Sequence, residues 1–370
     1  MSFFSEYTQV NRWLQQKQQV VFYSESRHYF IYFKKLIDDL LAEPGISICY
    51  VTSDKNDPLL AKAPAGMNVL YVKWMLGFLF SRIRADVMIM TMPDLDNFLF
   101  KRSPGVGTYV YMFHAAVSTH QQYRKKAFFH YDAVFCTGEY QLREIRKAEE
   151  LYGQKQKTVI PYGYPLLDEL NSHSSITAGN DQFTILIAPS WFGGCILDTC
   201  IEELLQLLSK LPYKIILRSH PEYAKRKKKE FRKIQQLIAK NPSMSMDELP
   251  NVLDSLRSAD ILITDRSGIA FEFAFGMRKP VLFIDTAYKQ MNPDWKELGI
   301  EPMENSLRSS LGVIISPDEL EKLSQKINEL TALQPGFADE ISEFSQKTFY
   351  NSKEAYRLGV DYIMGKIRKA

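Results

Sequence analysis

Several places where an apolar run stops carry side chains that could do chemistry. In VYMFHAAVSTH the run ends at Phe113 and His114 follows at once. Imidazole is the side chain whose ordinary pKa suits base work near neutral pH. In KIILRSHPEY the run ends in Arg218-Ser219-His220-Pro221. That is a guanidinium fork suited to phosphate, a second imidazole, and a proline that stops the strand. In ILITDRSGIAFEF the run drops into Asp265-Arg266-Ser267-Gly268 before a helical pattern begins. Ser267 is a good N-cap, Gly268 admits a ligand close to the backbone, and N–H groups at a helix start attract anions. Glu272, one turn on, stands among apolar residues and requires a partner, either the ribose hydroxyls of a nucleotide or a buried salt bridge. In ILIAPSWFGG the run ends at Pro189-Ser190-Trp191, where the indole can stack on a base or pack between domains.

Each feature has a structural counterpart. A lone His is commonly a satisfied structural residue, as His120 and His130 are expected to be. A strand-to-helix turn capped by Asp and Ser is common in α/β proteins. What unites these residues is position: all stand at or just beyond the carboxyl ends of strands, where open α/β sheets bind ligands. The Asp-x-Asp of PDLD, Asp94 to Asp96, is set apart. Mg²⁺ can be held by one or two carboxylates, but chance pairs of this kind are frequent. No metal is expected, and Asp94 is assigned to the acceptor side.

The elements that must position these groups follow from the pattern of the chain. Short, β-branched, apolar runs predict strands at 19–23, 47–52, 69–72, 86–91, 108–113, 133–136, 158–160, 183–188, 214–218, 261–264, 280–284 and 312–314. Helical stretches at 29–41, 142–150, 198–208, 225–239, 269–275 and 318–330 separate most of them. The alternation predicts an α/β protein of two doubly wound, Rossmann-like domains facing a central cleft. The first spans 1–172 and the second 173–336, with the polar NSHSSITAGNDQ at 171–182 as linker. Residues 337–370 read as helix carrying Phe344, Phe349, Tyr356 and Tyr362, expected to pack back on the first domain.

Composition excludes several classes. With 45% apolar and 24% charged residues over 370, the chain is globular rather than disordered. A net charge of +3 makes no case for nucleic acid. The run RSHPEYAKRKKKEFRKIQQLIAK, 218 to 240, is basic, either as a solvated helix face or toward an anionic partner. Four scattered cysteines without zinc spacing, and no signal-peptide pattern at the start, lead us to expect a cytoplasmic protein. The most apolar window, VLYVKWMLGFLFSRIRADVMIM, is broken by Lys73, Arg82 and Arg84 short of a spanning helix. Apolar residues beside such cations suit the anionic inner face of a membrane.

Taken in order, His114, APSW, RSHP, TDRSG and RKPVLFID resemble the CDP-glycerol glycerophosphotransferases of teichoic acid and capsule synthesis, which have the GT-B fold. The similarity runs from about residue 80 to 285 in motif order. It implies a catalytic base at His114. It implies a donor pyrophosphate site at Arg218 and His220 and at Asp265, Ser267 and Gly268. Arg266, Glu272, Ser190 and Trp191 stand beside that site. YGYPLLDEL is similar to the family's Gly-Tyr-Pro segment and places Tyr162 and Gly163 on the acceptor side. The implied substrates are a CDP-linked donor and a polymer or lipid-linked acceptor, without a resident cofactor. The chain departs from the family's pattern at Ala115, where Gly is usual, and at Ser219, where Pro is usual. Gly268 replaces the second Ser of the Asp-x-Ser-Ser loop, Arg266 replaces a frequent Tyr, and Phe192 stands where Arg is common. Two other readings stay open: a GT-B glycosyltransferase using a nucleotide sugar, and a non-catalytic binding protein on the same fold. No pattern sets an oligomeric state.

Overall fold

A computed structural model describes residues 3–98, 100–172, 182–247, 252–287 and 291–367. The first half runs α1 (Phe3–Leu14), β1 (Gln18–Ser24), α2 (Phe30–Leu41), β2 (Ile48–Thr52), β3 (Met67–Tyr71) and α3 (Leu76–Arg82). It continues with β4 (Ala85–Met90), β5 (Val106–Met112), β6 (Ala133–Cys136), α4 (Glu139–Leu151), β7 (Thr158–Pro161) and α5 (Pro165–Ser172). Its seven strands are parallel, in the order β3-β2-β1-β4-β5-β6-β7. The second half holds β8 (Thr184–Ile187), β9 (Lys214–Leu217), β10 (Met244–Met246), β11 (Ile261–Thr264), β12 (Val281–Ile284) and β13 (Gly312–Ile315). These six are also parallel, in the order β10-β9-β8-β11-β12-β13.

Both orders reverse direction at one place, between β1 and β4 and between β8 and β11. Such a switch point leaves a crevice at the carboxyl ends of the strands because the flanking crossovers diverge there. The expected strand-end residues sit beside these two crevices. The strands are apolar along their length because helices cover both faces: β4, β8, β11 and β12 are buried throughout.

Two features hold the first half together from a distance. Glu6 on α1 is fully buried, and its Oε1 accepts the backbone N–H groups of Lys73, Trp74 and Met75 at 2.9, 2.7 and 2.8 Å. A carboxylate at these donors caps the start of α3 and ties the two helices together. The helix Lys353–Ile367 returns to cover the sheet, with Tyr356, Val360, Ile363 and Met364 packed among Val20, Phe22 and Phe135.

The helix before it, Leu323–Thr348, is continuous, where a boundary was expected at 336/337. Its first turns bury Leu323, Ile327 and Leu330 in the second half's core, and its later turns bury Phe337 and Ile341 in the core shared with the first half. Apolar partners on both sides keep one helix running through. The expected linker falls, for residues 173–181, outside the described residues. Strand β10 was not expected. Its sequence, Met-Ser-Met, is short, and among the described residues it pairs only with β9, at the sheet edge.

Candidate active site

In the first half, β5 ends at Met112, Phe113 turns into the core, and His114 emerges half-buried. Its Nδ1 lies 3.1 Å from the carbonyl oxygen of Thr91, just past β4. A carbonyl only accepts, so the proton is on Nδ1 and the lone pair of the neutral ring is on Nε2. Tyrosine rings stand edge-on around the imidazole, Tyr29 at 5.3 Å, Tyr32 at 6.1 Å and Tyr123 at 6.3 Å. Burial pushes the Tyr29 hydroxyl up to about 12, with Glu25 and Glu222 adding to it, so it stays protonated. Glu25 follows β1 and is exposed; loss of water around its carboxyl, then the charge of Glu222 in the second half, raises it.

In the second half, Asp265 follows β11 and is fully buried. Its Oδ1 accepts the N–H groups of Ser190 (2.8 Å) and Arg266 (2.7 Å), and its Oδ2 accepts that of Ile196 (3.2 Å). It therefore joins the loop after β8 to the loop after β11, across the switch point. These three bonds fix the course of the loop from Asp265 to Gly268 and use the carboxylate on the protein's own backbone. Ser190 is buried with it.

Ser267 is half-buried, and its carbonyl accepts the Ala270 N–H at 3.2 Å. The expectation that Ser267 caps the helix is corrected. The cap position is Gly268, already helical at φ −60°, ψ −21°, and no side chain caps there. Among the described residues the Ser267 hydroxyl has no hydrogen-bond partner. After three residues the helix widens to a π-helix over Glu272–Met277, a form frequent at functional sites.

The remaining second-half residues expected to face a donor are held by protein partners. Arg266 Nε donates to the Thr286 carbonyl at 3.2 Å and its Nη1 to Asn305 at 3.2 Å, while its Nη2 pairs with Asp285 at 2.5 Å. That guanidinium braces the wall between β11 and β12. Arg218 Nη1 pairs with Asp247 at 2.7 Å and donates to Ser255 at 3.1 Å. His220 caps the helix Pro221–Arg226: its Nδ1 accepts the Glu222 N–H at 3.1 Å. The lone pair is thus on Nδ1 and the proton on Nε2, the reverse of His114. Trp191 lies 5.8 Å from the His220 ring, with the Arg226 guanidinium over it at 4.8 Å.

The strand ends of the two halves meet. A Cβ on Gly268 would lie 3.2 Å from Val117 Cγ1 and 3.7 Å from Ala115 Cβ, the residues just after His114. Glu272, on the donor side, is 7% exposed and accepts a 2.7 Å hydrogen bond from the Tyr164 hydroxyl of the first half. The same hydroxyl is 3.2 Å from the His114 carbonyl oxygen. Burial pushes the Glu272 carboxyl up to about 7, and the Tyr164 bond opposes this. Its partner is a phenol, not the ion pair weighed from sequence. Further along, Ser118 donates from N and Oγ to Glu304 at 3.0 and 2.6 Å. His120 Nε2 is 2.9 Å from the Ile300 carbonyl, and its Nδ1 is 3.4 Å from Glu144.

Three acceptor-side assignments fare differently. Tyr162 is corrected: it is fully buried between Phe135 and Tyr356, and a Cβ on Gly359 would meet its ring at 2.5 Å. Gly163 has φ +90°, and a Cβ there would meet Asn351 at 2.8 Å. It lets the C-terminal segment approach, and Asn351 then bonds the Tyr164 N–H at 2.7 Å. Asp94 is half-buried, has φ 65°, and pairs with Arg124 at 3.0 Å. Among the described residues no three His, Cys, Asp or Glu side chains stand together as a metal site. Sequence reasoning missed Tyr164, Tyr32 and Glu25. The signal was available for Glu25, which follows β1 at the switch point.

Two Rossmann-like units whose strand ends meet at one site define the GT-B class of architecture. The structure of the wall teichoic acid polymerase TagF soaked with CDPG matches with a TM-score of 0.62 and 16% identity, over 99% of this chain and 98% of that one. S. aureus MnaA in co-structure with UDP matches at 0.59 and 11%, over 96% and 98%. A UDP-GlcNAc 2-epimerase from Neisseria meningitidis bound to UDP-GlcNAc matches at 0.57 and 13%, over 96% and 100%. At such identities the likeness is one of fold. No curated protein matches the sequence. Residues 7–296 match the family model of CDP-Glycerol:Poly(glycerophosphate) glycerophosphotransferase. The chain belongs to that family, and the matched span contains His114, Arg218, His220 and the Asp265–Gly268 loop.

Proposed function

We propose that the protein transfers glycerol phosphate, or a related alditol phosphate, from a CDP-linked donor to a hydroxyl of a cell-surface polymer or lipid-linked precursor. The observation that carries the mechanism is the opposite protonation of two histidines on the two sides of the site. His114 Nε2 takes the proton of the acceptor hydroxyl, whose oxygen forms a bond to the donor's distal phosphorus. The bond from that phosphorus to the bridging oxygen breaks, and CMP leaves with the electron pair. His220 Nε2–H, the Ser267 hydroxyl and backbone N–H groups of the Asp265–Gly268 loop hold the departing charge. Arg218 adds positive field from its pair with Asp247. The reading calls for no resident cofactor or metal; the donor is a substrate. It places the protein at the inner face of the membrane, where a lipid-linked acceptor would be met.

A donor panel tests the proposal. CMP released from CDP-glycerol or CDP-ribitol, with acceptor present, is expected. Release of UDP or GDP from nucleotide sugars, with no CMP from any CDP-alditol, would overturn it in favour of sugar transfer. No turnover with any donor would favour a binding protein on this fold. His114→Ala is expected to lower kcat by about 10² to 10⁴ with donor KM little changed, since the base acts on the acceptor.

A further inference from the structure

We propose that Tyr164 is a positioning residue for the base: its hydroxyl holds the main chain at His114, under the control of Glu272 on the helix that leaves the Asp265–Gly268 loop. The purpose rests on the role given to His114 above; the bond itself does not.

His114 is held at its ring and at its backbone by different groups. The Thr91 carbonyl, 3.1 Å from Nδ1, fixes the ring. The peptide joining His114 to Ala115 is held separately. Its oxygen lies 3.2 Å from the Tyr164 hydroxyl, and the Ala115 methyl is 3.7 Å from where a Cβ on Gly268 would stand. A general base works only within hydrogen-bond reach of the proton it takes, so the set of this peptide aims the imidazole. The phenol is itself anchored. Tyr164 is buried, and its ring stacks on Tyr32 with planes 18° apart. Asn351 accepts its N–H at 2.7 Å and donates to its carbonyl at 2.9 Å.

The Tyr164 hydroxyl has one proton and two neighbours that can accept it. The second is Glu272 Oε1 at 2.7 Å. An ionised Glu272 takes that proton, and the His114 carbonyl then faces only lone pairs. A protonated Glu272 donates to the phenol oxygen, and the phenol donates to His114. The contact is a switch with two positions, and Glu272 sets it. Among the described residues, the titratable side chains that face Glu272 are Tyr164 and Tyr32, on α2; burial raises both far above their ordinary value, so both stay protonated. A packing contact would not call for a carboxyl here. Phe271, Phe273 and Ala274 beside it are apolar and buried, and burying an acid among them is costly. Gly268 starts the helix that carries Glu272 one turn later. The loop assigned to the donor's phosphates and the residue that sets the base thus share one helix.

Turnover of CDP-glycerol with acceptor, at pH 6 and pH 8, tests the proposal. Tyr164→Phe should lower kcat by about two- to tenfold at pH 6, the worth of one hydrogen bond, and by less at pH 8, with donor KM unmoved. Glu272→Gln, whose amide donates to the phenol at any pH, should exceed the parent at pH 8. The double variant should behave as Tyr164→Phe alone. Equal losses at both pH values, a change in KM alone, or additive effects of the two changes would show a packing role and overturn the proposal. The bond can also be read without turnover. His114-Ala115 is the only His-Ala pair in the sequence, so histidine labelled at its carbonyl carbon and alanine labelled at nitrogen give one NMR signal from the full chain. That carbonyl should differ between the parent and Tyr164→Phe at pH 6 and converge at pH 8. Where Tyr164→Phe does not fold, Glu272→Gln replaces it, with the carbonyl differing from the parent at pH 8 and converging at pH 6. A difference that ignores pH, or no difference, would overturn the proposal. The expected shifts in a chain that releases no CMP would refute the proposed function and leave the bond standing.

Discussion

Buried beside Tyr164, Glu272 keeps its proton to about pH 7, and the direction of a short relay depends on that proton. A protonated Glu272 can donate to the Tyr164 hydroxyl, which then donates to the His114 carbonyl 3.2 Å away. An ionised Glu272 draws the Tyr164 proton to itself at 2.7 Å. The ordinary value of the carboxyl is 4.5 and the folded value lies above it. The stability tied to this group is therefore present below about 4.5 and lost as pH rises through about 7. That loss is about 3 kcal/mol for a shift of this size in a fully buried group. Glu272→Gln keeps an acceptor for Tyr164 and removes the ionisation. Thermal melts should show the variant more stable than the parent at pH 8 and little different at pH 5. An equal difference at both pH values would show that the carboxyl does not titrate in this range. At this scale the sequence was partly legible. His114 and His220 announce themselves because each stands just beyond a strand end. Tyr162 and Tyr164 do not separate on paper: two residues apart in an extended run, they would share a face. Gly163, at φ +90°, turns the chain between them and sends Tyr162 into the core and Tyr164 toward His114.

At the scale of elements, the loop after β5 and the loop after β11 are fitted to each other. The chain has Ala115 where the resemblance of its motifs implies Gly, and Gly268 where it implies Ser. These two departures face one another across 3.7 Å, measured to a Cβ built on Gly268. Bulk moved from one loop to the other keeps the approach. Gly268→Ser alone should destabilise by about 1 kcal/mol, because Val117, 3.2 Å from the new Cβ, must give and the hydroxyl must find room beside Ala115. Adding Ala115→Gly should restore part of that loss. Chemical unfolding of the two single variants and the double variant forms a cycle that reads the coupling. Additive effects would mean that the loops do not press on each other. Long apolar runs made most strands legible, since a strand buried on both faces has no other pattern to show. Strand β10 escaped because Met-Ser-Met carries no such run. The helix α3 escaped because WMLGFLFSRIR is apolar at nearly every position before Ser81 and shows no helical period.

At the scale of the molecule, the two halves share more than a cleft. One core cluster contains Tyr109 and Phe113 of the first half with Leu262 and Phe271 of the second. The bonds from Ser118 to Glu304 and from His120 to Ile300 cross between them as well. The helix Lys353–Ile367 lays Tyr356, Val360 and Ile363 on a face of the first sheet far away in sequence, on the half where residues 337–370 were expected to pack.

The returning helix gives the chain the logic of an interlocked pair. A fragment of residues 1–172 contains the seven strands of the first sheet but lacks the helix that covers Val20, Phe22 and Phe135. A fragment of residues 182–370 contains that helix with no sheet beneath it. Each piece carries an exposed surface that only the other can cover. Expressed apart, the first fragment should aggregate. Expressed together, the two should purify as one particle with no peptide bond between residues 172 and 182. Removing the helix Lys353–Ile367 from the second fragment should abolish the rescue. Such a split protein would make assembly of the active site conditional on the meeting of two chains.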